Sequence, residues 1–243
     1  MTDTTLLFKL LDKYDLTSNE KEELLSIIKP IFEHDEFQRR LTSEFYHHDQ
    51  ITLGQNILEV TILTYLLSKK DKKINLEYSL DIAMLHDLYC QPWQNNPNSK
   101  SHKFCNGHGF RHPIESVINS SIWFPDIFNE KQKTKILTDG IVHHMYPLPV
   151  MRFTEDEINI HELKNFKYIK EMNFQVKDAL IKSSNRSITR NLSITSSKYV
   201  EGIIVSNADK IVSLGNFKGS NINGITALIT KKNKNLEKIK TRF

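Results

Sequence analysis

Only eight glycines and seven prolines punctuate the 243 residues. That scarcity favours long uninterrupted helices over a sheet of many short strands, and it argues against a sandwich, a barrel or a Gly-rich nucleotide fold. Hydrophobic residues at 39% and charged residues at 26% suit a folded globular protein and are too apolar for a disordered one. The length fits one large domain, so residues 1–243 are read as a single all-α unit of about nine or ten helices with little or no sheet. No apolar run approaches the roughly 18 residues of a bilayer span, and the start Met-Thr-Asp-Thr-Thr has neither the basic flank nor the apolar stretch of a signal peptide. The expectation is a cytoplasmic protein with no membrane partner. Cys90 and Cys105 are too few for a disulfide framework.

Along the chain, Thr17 and Glu20 have capping-box spacing ahead of Leu24, Leu25, Ile27 and Ile28, which predicts an amphipathic helix. Another begins near Asp35. Ile57, Leu58, Val60, Leu63, Leu66 and Leu67 give residues 53–67 a wide apolar face, ended by the charged run 69–73. A helix over 76–88 delivers His86-Asp87 at its end. Residues 91–109 read as a polar loop, with Pro113 in the first turn of the next helix, which runs to about Ser121. Helical pattern returns over 131–145, over the polar stretch 155–181, and over 199–214, where Asp209 sits. Residues 183–197, rich in Ser, Thr and Asn, read as a mobile loop, and 222–243 as a basic helix.

Eight of the ten histidines fall between His47 and His144. His86-Asp87 follows the apolar run Ile82-Ala83-Met84-Leu85, and a carboxylate beside an imidazole at the end of a buried helix is costly unless something compensates. A divalent metal would. His112, the pair His143-His144 and Asp209 each stand at the edge of a similar apolar run. Imidazole and carboxylate donors together suit Mn, Fe, Co, Ni or Zn, and without a Cys-x-x-Cys motif the two thiols are read as structural rather than as ligands.

The order Leu85-His86-Asp87, His112-Pro113, His143-His144, Ala208-Asp209-Lys210 resembles the HD-domain superfamily of metal-dependent phosphohydrolases. Within it, His108-Gly109-Phe110-Arg111-His112-Pro113 and His144-Met145-Tyr146-Pro147-Leu148 are similar to a group of small bacterial HD proteins. The likeness spans about residues 37–215. It implies an HD-type helical bundle holding one or two divalent ions: His86, Asp87 and Asp209 at a first site, His112 with His143 or His144 at a second, and His108 as a weaker candidate. Asp87 would be the central ligand of the catalytic centre. Arg111 and Lys210, next to ligands, would bind the phosphate of a nucleotide or related small ester.

Two departures stand out. Where the resembling proteins carry a first-ligand histidine, this chain has Asn56, whose neutral amide is a weaker donor; His48 is the alternative from a neighbouring loop. The interval from His144 to Asp209 is also long, with an extra polar segment at about 155–197. The leading expectation is a metal-dependent phosphohydrolase acting on a phosphomonoester or phosphodiester. The alternative is a catalytically degenerate HD protein that binds a nucleotide or a protein through the same cleft. The net charge of +4 lies partly in the Lys-rich tail, so a nucleic-acid role rests on that tail alone; homo-oligomerisation is left open. His34, His47, His102 and His161 are read as bystanders.

Overall fold

The computed structural model describes residues 4–48, 51–89, 104–153, 172–186, 188–189 and 192–218. Among these the chain is all-α, with nine α-helices and strands of two or three residues. The expected polar loop 91–103, including Cys90 just before it and His102 within it, the stretch 154–171 with His161, and the basic helix 222–243 lie outside the described residues. No helix among the described residues is long and apolar enough to cross a membrane.

Helices α1 (Thr5–Lys13), α2 (Ser18–Phe32) and α3 (Asp35–Arg40) cover one flank. Thr17 and Glu20 form the predicted capping box: the Thr17 hydroxyl accepts from the Glu20 N–H, and the Glu20 carboxylate accepts from the Thr17 N–H at 2.8 Å. His34, expected to be a bystander, is the N-cap of α3, its Nδ1 accepting from the Glu36 N–H. Helix α4 (Leu53–Ser68) is buried on nearly every side rather than along one face. A helix apolar all round belongs at the centre, and α4 packs against α1, α3, α5 and α9. Its few buried polar groups are therefore informative. The Thr61 hydroxyl returns to the Ile57 carbonyl, and Glu59 pairs with Lys13 of α1 at 3.3 Å.

Helix α5 (Leu76–Leu85) stops just before His86, three residues short of the predicted end. Helix α6 (Phe104–Trp123) corrects two readings: residues 104–109 are helix, not loop, and Pro113 lies in the interior of that helix rather than its first turn. Having no N–H, Pro113 forgoes the bond to the Gly109 carbonyl one turn back. After a 3₁₀ turn at Pro125–Phe128 come α7 (Lys131–Val142), α8 (Phe174–Ser184) and α9 (Val200–Lys218).

In the segment expected to be a mobile loop, the described residues carry short strands and buried hydrogen bonds. Strand β5 (Leu192–Ser193) pairs antiparallel with both β4 (Ile188–Thr189) and β3 (Val150–Met151). A second small pair joins β1 (Tyr46–His48) to β2 (Ile51–Thr52) ahead of α4. The reason lies in buried polar contacts with α7. The Asp139 carboxylate accepts from the Ser197 hydroxyl and the Lys198 N–H, both at 2.8 Å, and from the Ser183 hydroxyl at 3.3 Å, while Arg186 pairs with it at 2.8 Å. A buried carboxylate with this many donors fixes whatever carries them.

Helices α5, α7 and α9 meet through two glycines. A Cβ on Gly202 would lie 2.6 Å from the Gly140 Cα and 2.5 Å from the Ser197 hydroxyl, and one on Gly140 would lie 2.6 Å from the Ile82 Cδ1. Because Gly140 offers backbone rather than a movable side-chain tip, Gly202→Ala must push α7 and α9 apart. Overpacking costs about 1–3 kcal/mol, more than the roughly 1 kcal/mol of helix propensity gained, so urea unfolding is expected to show a net loss of stability.

Asp81 on α5 gives a pH dependence remote from the histidines. Burial lifts its carboxyl to about 6, and Lys133, 2.8 Å away, pulls it back only in part. The folded state thus holds a proton that the unfolded chain releases near 3.8. The stability this confers is complete below that value and lost as pH rises through about 6, to a total of about 3 kcal/mol. Asp81→Asn should remove this slope from unfolding free energies measured between pH 3.5 and 7.

Candidate metal centre

Four elements bring His86, Asp87, His112, His144 and Asp209 together. His86 is the C-terminal cap of α5 and Asp87 follows it; His112 comes from the middle of α6; His144 sits in the turn after α7; Asp209 lies within α9. All five are buried, His86 and His144 completely and the others at 6% exposure or less. Asp87 is central. Its Oδ1 is 3.2 Å from His112 Nε2 and 3.4 Å from His144 Nε2, and its Oδ2 is 3.6 Å from His86 Nε2. His112 and His144 face each other Nε2 to Nε2 at 3.1 Å. Asp209 Oδ1 lies 3.9 Å from His86 Nε2 and accepts from the Ser213 hydroxyl.

The other side of two rings fixes what these tips are. His86 Nδ1 donates to the Ala83 carbonyl and His144 Nδ1 donates to the Ile141 carbonyl, each at 2.7 Å. A carbonyl can only accept, so in the neutral rings Nδ1 carries the proton and Nε2 presents a lone pair. Burial opposes ionisation of Asp87, but the charge of a protonated His86 and the N–H bonds that protonated His112 and His144 donate outweigh it and hold the carboxyl well below the usual carboxylate range. With the rings neutral, as metal ligands are, lone pairs and a carboxylate converge in one buried space. Among the described residues His86 Nε2 makes no hydrogen bond, and Asp87 Oδ1 depends on the tips of His112 and His144. Buried polar groups left so are expensive, and a divalent cation would satisfy them together. His86, Asp87 and His144 each offer a donor within 4.8 Å of the others. This buried His-Asp-His group could hold a metal ion, and its nitrogen and oxygen donors suit a borderline divalent ion. The backbone carbonyls behind two of the rings are the orienting partners such ligands require.

The remaining predicted residues fall differently. His143 turns away: its Nε2 lies 3.1 Å from the Ser183 carbonyl and 4.0 Å from Asp139 Oδ1. Burial and then the Arg186 charge push its pKa down to about 4, against the pull of Asp139. Of the adjacent pair, His144 is the one that meets Asp87. Asn56 is fully buried in α4, and among the described residues neither its amide oxygen nor its amide nitrogen has a hydrogen-bond partner. Arg111 is half-buried next to His112. Lys210, next to Asp209, donates to the Ser206 hydroxyl at 2.6 Å. The side chains of His48, Cys105 and His108 lie outside the described residues.

Sequence reading passed over the support around the centre. Asp139 stands one helical turn before His143 among the buried Ile136, Leu137, Ile141 and Val142, and a carboxylate in that setting was the available signal. Arg40 was equally inconspicuous: wholly buried, it donates to the Tyr89 carbonyl at 2.7 Å, bracing the chain just past Asp87, and lies over the rings of Trp123 and Phe45.

Comparison with protein-family models, with curated proteins and with solved structures finds no match to this chain.

Proposed function

We propose that this protein is a metal-dependent phosphohydrolase of the HD type, acting on a phosphate ester of a nucleotide or related small molecule. The observation that carries the reading is the buried convergence of three imidazole Nε2 atoms on the Asp87 carboxylate, with no hydrogen bond to His86 Nε2 among the described residues. His86, Asp87 and Asp209 would hold one ion; His112 and His144, sharing Asp87, would contribute to a second. A bound divalent ion supplies Lewis acidity and lowers the pKa of its water toward about 7. The chain's own residues do the rest. The Ala83 and Ile141 carbonyls keep two rings in the donor tautomer, burial excludes bulk water, and Arg111 and Lys210 supply cations for the phosphoryl oxygens.

Metal analysis of protein purified without chelator, with a phosphatase panel in Mn, Co and Ni, tests the reading; absence of both bound metal and metal-stimulated hydrolysis would sink it. A chelator adds an independent measure. A ligand present at 100 times its Kd stabilises the fold by about 2.7 kcal/mol, which for a chain of this length is roughly 5–10 °C in Tm. Chelation is expected to lower Tm by that amount, and a Tm indifferent to both chelator and added metal counts against a metal centre.

The second reading, a degenerate HD protein that binds a ligand without turning it over, draws on Asn56, a buried amide at the position where the resemblance places a histidine ligand.

A further inference from the structure

Asp87 does not sit on regular structure. Helix α5 ends at Leu85, and Asp87 follows in a tight turn where the Tyr89 N–H donates to the Asp87 carbonyl at 2.9 Å. Backbone that leaves a helix inside the core carries polar groups that must find partners. Two of them are met by side chains from other helices. The Leu88 carbonyl accepts from the Asn119 amide at 2.6 Å, and the Tyr89 carbonyl accepts from Arg40 Nη2 at 2.7 Å. Both side chains are buried, Asn119 at 4% exposure and Arg40 completely. Asn119 lies seven residues after His112 on α6, which is about two helical turns and hence the same face. That face presents an imidazole to the Asp87 carboxylate and an amide to the backbone just beyond it.

We infer that Asn119 and Arg40 are positioning residues of the metal centre: by fixing the backbone at Leu88 and Tyr89, they hold the Asp87 carboxylate where the three imidazoles meet it. They act through the main chain. A buried carbonyl that loses its donor is costly, so without the Asn119 amide the backbone at Leu88 relaxes toward another partner. Asp87, one residue upstream, moves with it. Metal ligands work only within about 0.2 Å of their proper distances, so a small shift there is felt as lost affinity. If the two bonds served the core alone, their removal would cost stability and leave metal binding untouched.

The inference rests on the proposed metal centre but is read from metal binding, not from turnover. Cobalt(II) is titrated into the full chain and into Asn119→Ala, Arg40→Lys and Ser121→Ala, following both the affinity and the visible absorption that reports the geometry around the ion. Ser121 is the control: it is buried on the same helix, but its hydroxyl donates to the Ile118 carbonyl within α6. Asn119→Ala is expected to weaken cobalt binding by about 10- to 100-fold, the usual effect of removing a partner that orients ligands, and to alter the spectrum. Arg40→Lys keeps the charge but not the planar fork of the guanidinium. It should weaken binding in the same direction, and it carries the test if Asn119→Ala does not fold. Ser121→Ala should leave affinity and spectrum unchanged, whatever it does to the urea midpoint. Unchanged cobalt binding in both Asn119→Ala and Arg40→Lys, or an equal loss in Ser121→Ala, overturns the positioning role. Wild type that binds no cobalt overturns the metal centre and the positioning role together. Cobalt binding that weakens in Asn119→Ala, without hydrolysis of any phosphate ester by wild type, upholds the positioning role and refutes the hydrolase.

Discussion

Asp87→Ala is expected to purify without metal and to lose metal-stimulated phosphatase activity by at least about 1,000-fold, beyond the 10- to 100-fold typical of residues that only orient a ligand. Among the described residues Asp87 is the one side chain in contact with all three imidazoles, so its removal leaves no shared ligand there. The metal-free protein should lose stability as well, because a carboxyl that the surrounding imidazoles hold well below the usual range contributes to the folded state at neutral pH, and Asp87→Ala should no longer respond to added Mn. Retained turnover in this variant would place the chemistry elsewhere in the molecule.

Asn56→His carries the second large effect. A fully buried amide with both polar atoms unmet forgoes the bonds that normally offset its burial, at about 1–3 kcal/mol per unsatisfied group. Imidazole is the better donor for borderline divalent ions, so the degenerate reading predicts that Asn56→His raises metal affinity by roughly 10- to 100-fold and hydrolysis with it. If wild type already turns over briskly and the substitution changes little, the degenerate reading is wrong. Histidine is larger than asparagine, and overpacking is a competing cost. Asn56→Leu separates the two effects, because an apolar side chain of similar volume cannot bind metal. If the amide is unmet in the metal-free protein, Asn56→Leu should be the more stable by about 1 kcal/mol.

Much of the helical frame was legible because its signals are local. Thr17 and Glu20 announce a capped helix, and the charged run after Ser68 ends α4 where composition says it should. The misreadings have one physical origin: tertiary contacts overrode local preference. Pro113 reads as a helix start, yet α6 runs from Phe104 straight through it. The Ser-rich stretch after Ser183 has no periodicity of its own, and its order comes from Asp139, more than 40 residues upstream. At the centre, residue types and order were readable, since each candidate borders an apolar run. The choice between His143 and His144 was not, because it depends on which ring faces Asp87 as α7 ends. The state of Asn56 was equally hidden: the resemblance expects an imidazole where the sequence has an amide, but only packing shows both its polar atoms unmet among the described residues.

That α5 and α7 both end at the cluster has an electrostatic meaning of its own. His86 caps the C-terminus of α5, and His143 caps that of α7 immediately before His144. Each helix brings the negative pole of its macrodipole, equivalent to about half an elementary charge, to a place already occupied by the Asp87 and Asp209 carboxylates. The backbone thus adds to the side chains in drawing a cation and repelling an anion. For the proposed phosphohydrolase this would order binding, a phosphate becoming welcome only once a metal has reversed the sign of the field.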